Sequence, residues 1–128
     1  MITGINKIKV SVNDQQAALE FWRDKLGFEV VTDATYGPNR WIEVASPNRA
    51  VVFVLAAPLE GDPGNSFIPD GQPTVGAMLS TDDLDASYRE MTSAGVEFLA
   101  APEKFAWGWF SMFTDGQGNR IALVPTGQ

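Results

Sequence analysis

Two stretches of this chain open on aspartate and close on glycine at matching spacing. They run from Asp14 to Gly27 and from Asp82 to Gly95. The first encloses Ala18, Leu19, Phe21, Trp22 and Leu26 at helical intervals, and the second encloses Leu84, Tyr88, Met91 and Ala94. An aspartate at the start accepts hydrogen bonds from otherwise unpaired backbone N–H groups, with Asn13 or Asp14 and Asp82 or Asp83 as the candidate caps. A glycine at the end closes a helix in the left-handed region. Each helix is preceded by an alternating run, Ile5 to Val12 and Val75 to Ser80. Each is followed by a new strand, Phe28 to Thr32 and Val96-Glu97-Phe98. A repeat offset by about 68 residues restricts the chain to two copies of one supersecondary unit.

The rest of each half completes that unit. Tyr36-Gly37-Pro38-Asn39 is a turn by composition, leading into Arg40 to Ala45 and then, through Ser46-Pro47-Asn48, into Ala50 to Ala56. In the second half, Trp107 to Thr114 and Arg120 to Val124 flank Asp115-Gly116-Gln117-Gly118-Asn119. Those five residues tolerate positive φ and bond to their own backbone, so a hairpin is expected. Gly61, Pro63, Gly64, Pro69, Gly71 and Pro73 crowd between the halves. The expected organisation is one domain over 1–128: an N-terminal module 1–58, a linker 59–73 and a C-terminal module 74–128. The class is α+β.

Absences narrow the chemistry. The chain has no cysteine and no histidine, which removes thiolate ligands, thiol nucleophiles, imidazole ligands and the usual neutral-pH base. Its net charge of −7 repels nucleic acid and anionic lipid and favours cationic partners. No apolar run reaches bilayer length and no basic leader precedes an apolar core, so a cytoplasmic protein without membrane or nucleic-acid partners is expected.

Asn13-Asp14, Ala17-Ala18, Phe21-Trp22 and Leu26-Gly27-Phe28 resemble an Asp-x-x-x-Ala-x-x-Phe-Tyr-x-x-x-Leu-Gly-Phe opening. Trp107-Gly108 and Asp115 to Asn119 resemble a closing hairpin, and both belong to the vicinal oxygen chelate superfamily. That group includes glyoxalase I, bleomycin resistance proteins, fosfomycin resistance enzymes and extradiol dioxygenases. The resemblance covers nearly the whole chain. It implies two β-α-β-β-β modules that form a cup-shaped mixed sheet with helices outside, and commonly a homodimer. The superfamily's metal-ligand positions fall at Lys7, Phe53, Gly76 and Ala122, each within about one residue. An ammonium, a phenyl ring, a glycine and a methyl group donate nothing to a divalent metal. No metal and no cofactor are therefore expected. Within the family the bleomycin resistance proteins match best, since they also lack the ligands, are acidic and carry Trp-Gly before the hairpin.

Alternation then assigns faces. Ile8, Val10, Val12, Ile42, Val44, Val52 and Val54 are expected beneath the first helix, with Lys7, Lys9, Trp41, Glu43, Val51, Phe53 and Leu55 in the cup. Ala77 and Leu79 are expected to point outward, and Met78 inward. Residues 107–114 are apolar on both faces and stay unassigned. The candidate ligand-binding residues are Lys7, Trp41, Glu43, Phe53, Trp107, Trp109 and Phe113. The rings would stack on a planar ligand, Glu43 would anchor a cation and Lys7 would meet an anion. The expected function is binding or sequestration of a small aromatic or cationic molecule such as an antibiotic. The alternatives are a metal-independent enzyme of the same superfamily (lyase, isomerase or dioxygenase-related) with Glu43 or Lys7 as acid–base group, and a scaffold whose role is dimerisation.

Overall fold

The computed structural model describes residues 1–57 and 76–128, and the chain divides into two compact units. The expected linker at 59–73 lies outside the described residues.

In the first unit β1 (Ile8–Ser11) leads to α1 (Gln15–Glu20), which continues as a π-helical turn over Phe21–Lys25. Strands β2 (Glu29–Tyr36), β3 (Asn39–Ala45) and β4 (Val52–Ala56) follow. The sheet order is β1-β4-β3-β2. β1 runs parallel to β4 and the other pairs are antiparallel. The second unit repeats this plan with β5 (Met78–Thr81), α2 (Leu84–Ser93), β6 (Phe98–Phe105), β7 (Gly108–Thr114) and β8 (Arg120–Pro125), in the order β5-β8-β7-β6. Again only the first strand is parallel to its neighbour. This is the α+β fold of two β-α-β-β-β units.

The helix boundaries follow from local chemistry. The Asp14 carboxylate accepts from the Ala17 N–H at 3.0 Å, and Asp83, not Asp82, accepts from the Ala86 N–H at 3.0 Å. Gly27 and Gly95 close the helices at φ 74° and 94°. The true cap-to-glycine span is therefore 13 residues in the first unit (14 to 27) and 12 in the second (83 to 95). The π turn takes up the additional residue, with the Leu26 N–H reaching back five residues to the Phe21 carbonyl at 3.3 Å.

Each core lies between its helix and its sheet. In the first unit Trp22 is fully buried. It meets Phe28 and Phe53 edge-on at centroid distances of 4.9 and 5.3 Å. Val10, Ile42, Val44 and Leu55 complete that layer. In the second unit Tyr88 of α2 meets Phe98 at 4.8 Å, and Phe98 meets the buried Phe113 at 5.5 Å.

The expected faces of β4 are reversed. Phe53 is paired with Ile8 and Val44, so Phe53 and Leu55 lie under α1 while Val52 and Val54 lie on the opposite face. All of Val52 to Ala56 is apolar, so no polar residue marks the outer face, and a one-residue error flips the whole strand. Two strands also start later than expected, at Ile8 and Met78. Ile5 is exposed, since the β1–β4 ladder begins only at the Ile8–Phe53 pair.

Candidate functional site

Each sheet has a face turned away from its helix, and each such face carries one group of chemical interest. In the first unit the register aligns Lys9, Val54, Glu43 and Thr32 in one row across four strands. Trp41 lies two residues from Glu43 along β3, so the two share this face. The Trp41 indole Nε1–H donates to Glu43 Oε2 at 2.6 Å. Trp41 keeps 38% of its surface exposed. The described ion pairs join Arg23 to Asp24, Arg40 to Asp33 and Arg49 to Glu29, leaving Glu43 without a cationic partner among the described residues. Residues 58–75 contain no lysine or arginine. The result is an indole-oriented carboxylate beside an exposed ring. Lys7 is exposed and donates to Asn6 Oδ1 at 2.7 Å, ahead of the first paired residue of β1. Lys9 is the lysine that shares the row of Glu43.

In the second unit Trp107 occupies the two-residue turn between β6 and β7. It is 58% exposed. Its ring is parallel to that of Phe105 (5.6 Å, 4°) and meets Phe110 edge-on at 5.8 Å. Phe105 and Phe110 themselves meet edge-on at 6.3 Å. Alternation places Phe110 and Met112 on the face away from α2. The row Met78–Ala122–Met112 continues that face. Exposed rings in this arrangement offer a stacking surface, and methionine adds an adaptable apolar one.

The expected set is thus divided. Trp41 and Glu43 come together on one face, and Trp107 gains Phe105 and Phe110 as neighbours. Phe53 is a core residue against Trp22. Phe113 is likewise core, fully buried against Phe98 under α2. Trp109 shares the face of Ser111 and Phe113, at a strand end where 42% of it stays exposed. Phe105 escaped sequence reasoning because only Val96 to Phe98 read as a strand there, and Phe110 because residues 107–114 are apolar on both faces. Their signal was the density of rings on both sides of a tight turn.

The Asp115 to Asn119 motif holds its own turn. Asp115 Oδ1 accepts from the Gln117 and Asn119 N–H groups at 2.8 and 3.1 Å, and Oδ2 accepts from Asn119 Nδ2 at 2.7 Å. Both residues are buried. This carboxylate is consumed by the fold.

The residues expected at the superfamily's ligand positions offer no donor set for a metal. Lys7 bonds to Asn6, Phe53 packs on Trp22, Gly76 has no side chain, and Ala122 lies between Met78 and Met112. Among the described residues no three His, Cys, Asp or Glu side chains gather where they could hold an ion. Among them, too, no helix is long and apolar enough to cross a membrane.

Comparison with known proteins gives this geometry a context. The sequence profile of the Glyoxalase/Bleomycin resistance protein/Dioxygenase superfamily matches residues 4–123. The protein YetH of Bacillus subtilis (strain 168) is 35% identical over 124 residues, covering 96% of this chain and 98% of its own. Among solved structures, UcmS2 superposes with a TM-score of 0.82 at 32% identity, covering 98% of this chain and 100% of its own. TnmS3, an antibiotic binding protein from Streptomyces sp. CB03234, superposes with a TM-score of 0.80 at 31% identity, covering 97% and 96%.

Proposed function

The chain belongs to the glyoxalase/bleomycin resistance protein/dioxygenase superfamily, and on that premise we propose that it binds and sequesters a small aromatic, cationic molecule, such as an antibiotic, without a metal. The Trp41–Glu43 pair carries the reading. An exposed indole supplies a stacking surface, and the carboxylate it orients lacks a cationic partner among the described residues. A ligand ring on Trp41 with a positive group toward Glu43 would use both. The exposed Phe105 and Trp107, with the half-buried Phe110, supply a second stacking surface of the same kind. The similarity to TnmS3 supports a drug as ligand. The −7 charge would recruit cations over distance, and salt would weaken that recruitment.

The same reading takes the protein as cytoplasmic and homodimeric, with 1–58 and 74–128 as modules joined through 59–73. Light scattering that finds only a 13.9 kDa species at micromolar concentration removes the dimer. The ligand is sought by a thermal-shift screen of antibiotics and cationic aromatics, because a ligand that prefers the folded state raises apparent stability. Hits are then titrated against tryptophan emission. A screen in which no such compound raises the melting temperature or alters emission at sub-millimolar concentration defeats the reading.

A further inference from the structure

The Trp107-Gly108-Trp109 segment is fastened by a side chain that is distant in sequence. The Trp109 N–H donates to Gln128 Oε1 at 2.7 Å, and Gln128 Nε2 donates to the Trp109 carbonyl at 2.6 Å. One side-chain amide thereby pairs with one residue's backbone as a neighbouring strand would. Its place follows from the register. β7 and β8 pair Ser111 with Leu123. Continued by two residues, the ladder would set Trp109 opposite Pro125. Proline has no N–H to give, so the Trp109 carbonyl would lose its strand partner there. Beyond Pro125 the chain turns back through Gly127 at φ 83°, and the Gln128 N–H donates to the Pro125 carbonyl at 3.3 Å. That turn delivers the Gln128 amide to the position where β8 stops.

Gly108 completes the arrangement. Its φ of 136° lies in the region that favours glycine. A Cβ there would stand 2.5 Å from Gln128 Cδ and closer still to Oε1. The glycine of the Trp-Gly pair therefore leaves room for the clasp as well as adopting its φ.

We propose that Gln128 is a positioning residue for ligand binding: its amide locks Trp109, and through the adjoining Gly108 it fixes the Trp107 indole in the stack with Phe105. The ligand-binding part rests on the function proposed above; the clasp itself does not. The indole is mostly exposed, so packing alone holds it weakly, and a turn residue with glycine behind it has backbone freedom to lose. Fixing it before the ligand arrives removes an ordering cost from binding.

The test separates these two parts. The full chain is labelled with 5-fluorotryptophan, and its four indole resonances are assigned by single Trp→Phe variants. Gln128→Ala should shift or broaden the Trp107 and Trp109 signals and leave those of Trp22 and Trp41 in place. Exchange of the Trp109 amide should accelerate by about 2- to 12-fold, the factor that one net hydrogen bond supplies. The urea midpoint should hold, because the clasp lies at an exposed strand end. Gln128→Glu keeps an acceptor for the Trp109 N–H but cannot donate to its carbonyl, so it should rescue amide protection only in part. Proflavine, a planar cationic aromatic, serves as the binding probe, and its affinity should fall with Gln128→Ala by a similar factor. An unchanged Trp109 amide overturns the clasp. A faster amide with an unmoved Trp107 resonance overturns positioning of the indole, and a moved resonance with unchanged proflavine affinity overturns the role in binding. If proflavine fails to bind the wild type, the ligand-binding part falls together with the function it rests on, while the amide and fluorine signals still decide the clasp.

Discussion

The two units have the same order of elements and spend their aromatic residues differently. The first concentrates its rings inside, with Trp22 between Phe28 and Phe53. Its face away from the helix carries Trp41 with the carboxylate it orients, Glu43, and the exposed Tyr36 at the strand end. The second anchors its helix through the half-buried Tyr88 and leaves Phe105, Trp107 and Phe110 as a cluster at the β6–β7 turn. A duplicated architecture thus tolerates opposite placements, because the helix-covered face must be filled while the other face is free to vary. The π turn belongs to the same contrast. The first helix carries one more residue than the second and loses a regular hydrogen bond to accommodate it.

Replacing the core anchors should separate the units most. Trp22→Ala should cost about 3–5 kcal/mol, as for a fully buried aromatic, and urea unfolding reads it directly. Tyr88→Ala should stay under about 3 kcal/mol because the ring is only half-buried. Equal losses would show that the two helices are anchored alike. The signature turn comes next. Asn119→Ala removes the donor to the buried Asp115 Oδ2, so a loss of about 1–3 kcal/mol in stability is expected. A neutral result would mean that another donor satisfies that oxygen.

The sheet faces turned away from the helices should respond in ligand affinity rather than stability. Trp107→Ala should weaken a stacking ligand by about 1–3 kcal/mol, provided that circular dichroism shows the variant folded. Glu43→Gln should weaken a cationic ligand and abolish the salt dependence that Glu43 contributes, while a neutral aromatic binds as before. Equal loss for both ligands would assign Glu43 to the fold.

The smallest effect is electrostatic. Arg40 Nε and Nη2 donate to both Asp33 oxygens at 2.8 and 2.7 Å, and Nη1 reaches Gln16 Oε1 at 2.8 Å. The hydrogen bond from Arg40 holds the Asp33 carboxyl below its ordinary pKa, partly offset by burial and aided by the guanidinium charge. A depressed folded-state value gives stability that is present above the unfolded pKa, near 4. It fades as pH falls through the lower folded value. A half-exposed pair contributes roughly 0.2–1 kcal/mol, so Arg40→Ala should flatten the acid limb of a stability–pH curve only slightly. The Arg23–Asp24 pair lowers the Asp24 pKa in the same way, through its hydrogen bond to Arg23. It joins adjacent residues that stay close in the unfolded chain, so its removal should move that limb even less.

Local signals in this chain were legible because their partners are close in sequence. Asp14 and Gly27 mark a helix through bonds made within a few residues, and Asp115 to Asn119 closes a turn on itself. Trp41 and Glu43 share a face, since alternation along one strand is a geometric property of that strand. The cap at Asp83 rather than Asp82 shows the resolution of such reading, and the π turn accounts for the difference.

Beyond that range the sequence alone did not decide. It determined a duplicated β-α-β-β-β chain and the helical spacing that carries Trp22. Only tertiary structure decided that Phe53 and Leu55, rather than Val52 and Val54, face α1, because an all-apolar strand takes its orientation from the partners it packs on. Tertiary structure likewise buried Phe113 and grouped Phe105 and Phe110 around Trp107. It also brought Gln128 to Trp109, across 19 positions. A side chain that completes a distant strand leaves no periodicity behind, since its reason lies in the register of β7 and β8 and in the N–H that Pro125 lacks.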